Sequence, residues 1–173
     1  GLGDVYKRQA TMTGSFVLRG GRVIDPANGV DRVADLVLGK DEILGLDVPE
    51  PDGAQVIDCR GSIVTPGMID LHGPVDWGGT SLGVQPEDFA DNSACTSLVD
   101  AGSAGPGNFT GFREHVIERS RVRILAYLHV SFAGIYGFGG RIMVGESHDM
   151  RLMAAREAAA VATAHPGVIV GIK

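Results

Sequence analysis

The stretch VTPGMIDLHGPVDWGG, residues 64–79, decides how the rest of the chain is read. Pro66-Gly67 sets a turn, and the apolar run that follows reads as a strand entering a core. That strand delivers a histidine, His72, to its far end. Two positions on, where a second imidazole would complete a metal-binding pair, the chain has Pro74. Proline carries no donor atom and fixes φ near −65°. The question is whether a metal site lies here at all.

Upstream of this stretch the chain reads as short β segments with turn punctuation. SFVLRGGRVIDPANG gives a strand, a Gly-Gly break, a second strand and a turn. ADLVLG and EILGLD are two short strands flanking a polar Lys-Asp tip, and AQVIDCRGSIVTPG is a strand pair around Arg60-Gly61. Residues 14–66 are therefore expected to form a small antiparallel β-sandwich domain. Residues 1–13, GLGDVYKRQATMT, do not connect to this pattern and lack the basic start and apolar core of a secretory signal. They read as a leader foreign to the fold.

Downstream the punctuation changes. SLVDAG, RVRILAYLHVS and VIVGIK are apolar strands, the last continuous in the way of a parallel strand buried on both faces. NFTGFREHVIERS has helical spacing, with Phe109, Phe112, Val116 and Ile117 on one side. SHDMRLMAAREAAAVATAHPG is the clearest helix, with Ser147 or Asp149 to cap its start. Alternating strands and helices imply right-handed crossovers and a parallel sheet. A closed (β/α)8 TIM barrel needs about 250 residues. Residues 67–173 hold about four β/α units, so the fold class is α/β: the N-terminal half of such a barrel, truncated after its fourth strand.

The bulk numbers exclude some functions. A net charge of −6 with no basic cluster argues against a nucleic-acid partner. No apolar run approaches about 20 residues, so no membrane span is expected. Cys59 and Cys95 form no C-x-x-C unit and read as reduced thiols. GSAGPG, residues 102–107, is not the G-x-G-x-x-G order of a dinucleotide loop. The expected partner is a small-molecule substrate, in the cytoplasm.

In parallel α/β folds functional side chains gather where strands end. His72, Asp100, His129 and Lys173 all follow predicted strands. His72 is either a hydrogen-bonded rim histidine or a neutral imidazole for a divalent metal. Lys173 ends a buried run, where a charged amine is costly. It either reaches solvent, or reacts as the neutral amine with carbon dioxide to give an anionic carbamate able to bridge two metals. Asp100 orients a ligand, touches substrate, or caps the following turn, the ordinary reading. His129, like His115 and His148, reads as a packed histidine.

GGRVIDPANGVDRVADLVL, VIDCRGSIVTPGMIDLH, TSLVDAGSAGPGNFTGFREHVI, RVRILAYLHVS and GVIVGIK, taken in order, resemble the amidohydrolase superfamily, and within it the dihydroorotase-like amidohydrolase/deacetylase group. The resemblance runs over about residues 16–173. It implies a metal-dependent hydrolase cleaving a cyclic amide, N-acyl or ester bond, with one or two divalent metals, usually zinc. It implies that His72 is the surviving half of a His-x-His pair and that Lys173 is the N6-carboxylated bridging lysine. The remaining histidines and the catalytic aspartate would come from strands beyond this chain, so no catalytic residue is expected within it and the chain alone is expected to be inactive. The full-length protein is expected to be a homo-oligomer. Pro74 leaves a second reading open: a non-catalytic binding or assembly protein on the same scaffold with a degraded metal site.

Overall fold

The computed structural model describes residues 14–173, so the expected leader lies outside the described residues. The chain divides into two compact units, one ending at Pro66 and the other running Gly67–Lys173.

In the first unit β1 (Phe16–Asp25) is the spine. It pairs antiparallel with β2 (Val30–Leu38), which pairs antiparallel with β3 (Ile43–Leu46). Asp25 makes the first reversal: its carboxylate accepts the Ala27 N–H at 3.1 Å, and Gly29 takes the left-handed φ of 66° that closes the turn. The Gly-Gly break predicted inside β1 is instead a bulge. Leu18 faces Leu36 but Gly21 faces Ala34, one extra residue on β1, with Gly20 at φ 70°. Glycine absorbs the kink and the strand continues.

β4 (Gln55–Asp58) and β5 (Ile63–Val64) correct the expectation of an antiparallel sandwich with a strand pair around Arg60-Gly61. They do not pair with each other. Both run parallel to β1, β4 along Phe16–Arg19 and β5 along Arg22–Val23. The described residues of this unit thus form one mixed five-stranded sheet rather than two packed sheets. The physical reason lies between β4 and β5. Asp58 accepts the Arg60 N–H at 3.1 Å, and Ser62 N–H donates to the Cys59 carbonyl at 2.9 Å. This jog steps over the β1 bulge without reversing direction.

The second unit is a parallel sheet in the order β11-β8-β7-β6, made of β6 (Met68–Asp70), β7 (Cys95–Ala101), β8 (Arg123–Leu128) and β11 (Ile169–Ile172). Helices α1 (Pro86–Asp91), α2 (Phe109–His115) and α3 (Ala155–Ala164) lie between successive strands. A small hairpin of β9 (Gly137–Phe138) and β10 (Met143–Val144), not foreseen from the sequence, precedes α3. Phe109 and Phe112 drop from one side of α2 into a core with Leu98, Ile124, Leu128 and Ala158. Their rings meet edge to face with centroids 6.3 Å apart.

Two expectations for this unit are corrected. Asp149 does not cap the alanine-rich helix. It caps a separate 3-10 turn, Met150–Leu152, by accepting the Arg151 N–H at 2.9 Å, and α3 starts only at Ala155. The segment between is held extended by tertiary bonds: Phe132 N–H to the Leu152 carbonyl, and Ala154 N–H to the Val130 carbonyl. Those bonds occupy groups a longer helix would need. The final strand is not buried on both faces either. Val170 and Ile172 each stay 47% exposed, because β11 is an edge strand and one face of the sheet is uncovered among the described residues. No helix among the described residues is long and apolar enough to cross a membrane.

Candidate functional site

Because the four strands of the second unit are parallel, their C-terminal ends share one edge of the sheet. His72, Asp100, His129 and Lys173 all stand there: His72 two residues past β6, Asp100 near the end of β7, His129 just past β8, Lys173 just past β11.

Asp100 is fully buried and accepts three backbone N–H groups: Ser103 at 2.7 Å, Val75 at 2.8 Å and Gly102 at 3.0 Å. It caps the turn after β7 and also ties down the segment that follows His72. Burial pushes its carboxyl up, against these N–H bonds, which favour the ionised form.

His129 is buried. Its Nδ1 accepts the Ser131 N–H at 2.8 Å, which leaves Nε2 facing a Glu146 oxygen at 3.5 Å. Burial pushes the imidazole below its ordinary value, and Glu146 only partly offsets that. The other Glu146 oxygen accepts from Lys173 Nζ at 3.1 Å. Burial alone would raise the Glu146 carboxyl, but the Lys173 ammonium and the His129 ring hold it below the usual range. Lys173 is fixed at the backbone as well, its N–H donating to the Leu128 carbonyl at 2.9 Å. Its stem lies over Gly102, where a Cβ would come within 2.7 Å of Lys173 Cδ and 3.4 Å of the His129 ring. Gly102, at φ 89°, is therefore a glycine both for its backbone and for this close approach.

The structure thus brings Gly102, His129, Glu146 and Lys173 into one cluster, with Asp100 in the turn beside it. His72 is at the same sheet edge but three strand spacings away, roughly 14 Å across a flat sheet. It is exposed, and its backbone N–H donates to Asp70 at 2.8 Å. Pro74 follows with nothing to offer a cation. Among the described residues no three His, Cys, Asp or Glu side chains come together as a metal site. The described residues do not by themselves fit a metal centre.

Two residues escaped the sequence. Glu146 sits in the irregular segment after β10, in the left-handed conformation at φ 49°. Asp76, in the loop after β6, is 4% exposed, and burial together with the Asp100 charge pushes its carboxyl up to about 6. The glycine-rich loop 102–107 is no phosphate cradle. The N–H groups of Gly102 and Ser103 are taken by Asp100, that of Gly105 by Asn108 and that of Gly107 by the Phe132 carbonyl, so most of its donors are used inside the fold. Cys59 and Cys95 are both free thiols.

Known proteins resemble this chain in sequence and in fold. No family model matches the chain. A deacetylase of Brucella anthropi is 35% identical over 146 residues, which are 83% of this chain and 36% of that protein. A dihydroorotase of Geobacter metallireducens is 47% identical over 60 residues, 34% of this chain and 14% of that protein. A crystal structure of a dihydroorotase superposes with a TM-score of 0.80 at 30% identity, over 92% of this chain and 42% of that one. The chain belongs to the amidohydrolase superfamily. It spans about a third of the length of the deacetylase it matches.

Proposed function

We propose that this chain is the part of an amidohydrolase-type hydrolase that carries the first four strands of its barrel. The reaction would be the hydrolysis of a cyclic amide, N-acyl or ester bond. One observation carries the reading: a histidine, a carboxylate, a second histidine and a lysine end four consecutive strands of one parallel sheet, all at the same edge. The named relatives support the reaction class. Within it, His72 and Lys173 would each be one donor, from opposite sides of the four-stranded sheet, to a divalent-cation centre that these residues do not complete, with Lys173 able to act as its carbamate. The further donors and the proton-transferring aspartate would come from sequence outside this chain.

Pro74 supports a second reading, a binding or assembly protein on the same scaffold whose metal site is degraded. One experiment separates them. Residues 14–173, as they stand and with Pro74→His, replace the matching segment of the Brucella anthropi deacetylase, and zinc content and hydrolysis of N-acyl substrates are measured. The hydrolase reading expects turnover from the Pro74→His hybrid, and zinc affinity at least about tenfold above the Pro74 form. A folded, zinc-loaded Pro74→His hybrid with no turnover overturns it. Turnover from the Pro74 form itself overturns the degraded-site reading.

A further inference from the structure

The second unit contains a cavity of about 610 Å³ that the strand-end cluster does not use. It lies against α2 and is walled by Trp77, Phe112, Phe132 and Tyr136, with His115 and Asp76 completing the lining. Its size is that of a small-molecule site. It is open because Gly78 and Gly111 stand on its wall with nothing within 4 Å of where a Cβ would be. Trp77, Phe132 and Tyr136 keep 54%, 48% and 59% of their surface accessible and give the cavity an aromatic wall.

The polar group is Asp76. It is 96% removed from solvent, yet among the described residues no donor hydrogen-bonds its carboxylate; burial and the Asp100 charge are all that act on it. The carboxylate oxygens keep a little accessible surface where Asp76 lines the cavity, and a largely desolvated carboxylate without a donor favours a partner that brings positive charge or N–H groups. Asp100 makes the neighbourhood more negative still. A bare metal ion does not suit one carboxylate among aromatic rings, because hard cations need several oxygens. An ammonium group does suit it: it donates to the carboxylate, and its charge is favoured over aromatic faces.

We propose that this cavity binds a small organic ammonium ion, its charged head on Asp76 and its apolar body between Trp77, Phe132 and Tyr136. The site needs no metal, and its binding can be measured apart from the proposed hydrolysis.

Trp77 is the chain's single tryptophan and therefore reports on the cavity directly. The 173-residue chain is titrated at pH 7.5 with phenethylammonium and with its neutral counterpart 2-phenylethanol, reading tryptophan emission. The expected result is a saturable change, with the ammonium about tenfold tighter than the alcohol. Asp76→Asn should remove that preference and leave alcohol binding unchanged. Tyr136→Leu should weaken both probes alike. Circular dichroism of each variant establishes that the fold is kept. Absence of saturation by the ammonium, equal affinity for the two probes, or an ammonium preference that survives in Asp76→Asn would overturn the proposal.

Discussion

Asp76→Asn is expected to stabilise the folded chain at neutral pH by on the order of 1–2 kcal/mol, the cost of the desolvated charge less that of the desolvated amide that replaces it. The Asp76 carboxyl is pushed up to about 6 from an ordinary value of 3.8, by burial first and by the Asp100 charge second. The folded state therefore holds this proton more tightly than the unfolded state. Below about pH 4 both states are protonated and the group contributes nothing. As pH rises from there the unfolded state ionises first, so stability falls, and the full penalty is reached above about 6. Urea unfolding between pH 7 and pH 5 should show the wild-type chain gaining on Asp76→Asn as the solution is acidified. His129 works the other way below its ordinary value of 6.5, because burial disfavours its charged form. Asp100, also pushed up, adds to the Asp76 trend. Both remain in the variant, so the difference between the two proteins reports Asp76 together with its repulsion from Asp100. A variant that unfolds at the same urea concentration as wild type at pH 7 would contradict an uncompensated Asp76 carboxylate. Gain of stability on removing a polar group is also what a ligand site predicts, since such sites hold groups that only the ligand satisfies.

Asp100→Ala should act in the opposite direction and cost about 3 kcal/mol or more. Three backbone N–H groups, of Val75, Gly102 and Ser103, converge on this one buried carboxylate. Alanine leaves all three without a partner in a place water does not reach, which is a larger loss than the deletion of a single bond. The removal of a buried negative charge offsets part of it, since burial already opposes the ionised form. Asp100→Asn retains one acceptor oxygen but turns its amide towards a backbone donor, so its loss should be intermediate. Thermal unfolding followed by circular dichroism checks the order wild type, Asn, Ala. An alanine variant as stable as wild type would mean that the loop 73–76 and the turn after β7 find other acceptors.

The sequence was most readable where apolar runs were long and turn residues stood at their ends. Leu98-Val99, Ile124–Leu128 and Val168–Ile172 were legible as parallel strands, and from them follows the placement of Asp100, His129 and Lys173 at one edge. Phe109 and Phe112 were legible as the inward side of a helix by their spacing. What the sequence hid depends on contacts between distant segments. β4 and β5 look like a hairpin locally, and only pairing with β1 shows that they run in one direction. The start of α3 is set by bonds to residues 130 and 132, which no local capping rule contains. Glu146 is an acidic residue in an irregular stretch, and nothing nearby in sequence marks it as the partner of Lys173 and His129. The burial of Asp76 likewise comes from how its loop folds back. Pro74 was visible at once, because the spacing of an expected pair made its chemistry conspicuous.

Gly102 links two strand ends in a way that reaches beyond this molecule. Its absent side chain is the slot in which the stem of Lys173 rests. Any larger residue there must push the lysine out of line with His129 and Glu146. Positions 102 and 173 are thus expected to drift together among related genes: copies that keep the lysine keep the glycine, and copies that have lost the lysine are free to fill the slot. Laboratory evolution that selects for a new role at this edge would open the same door from either side.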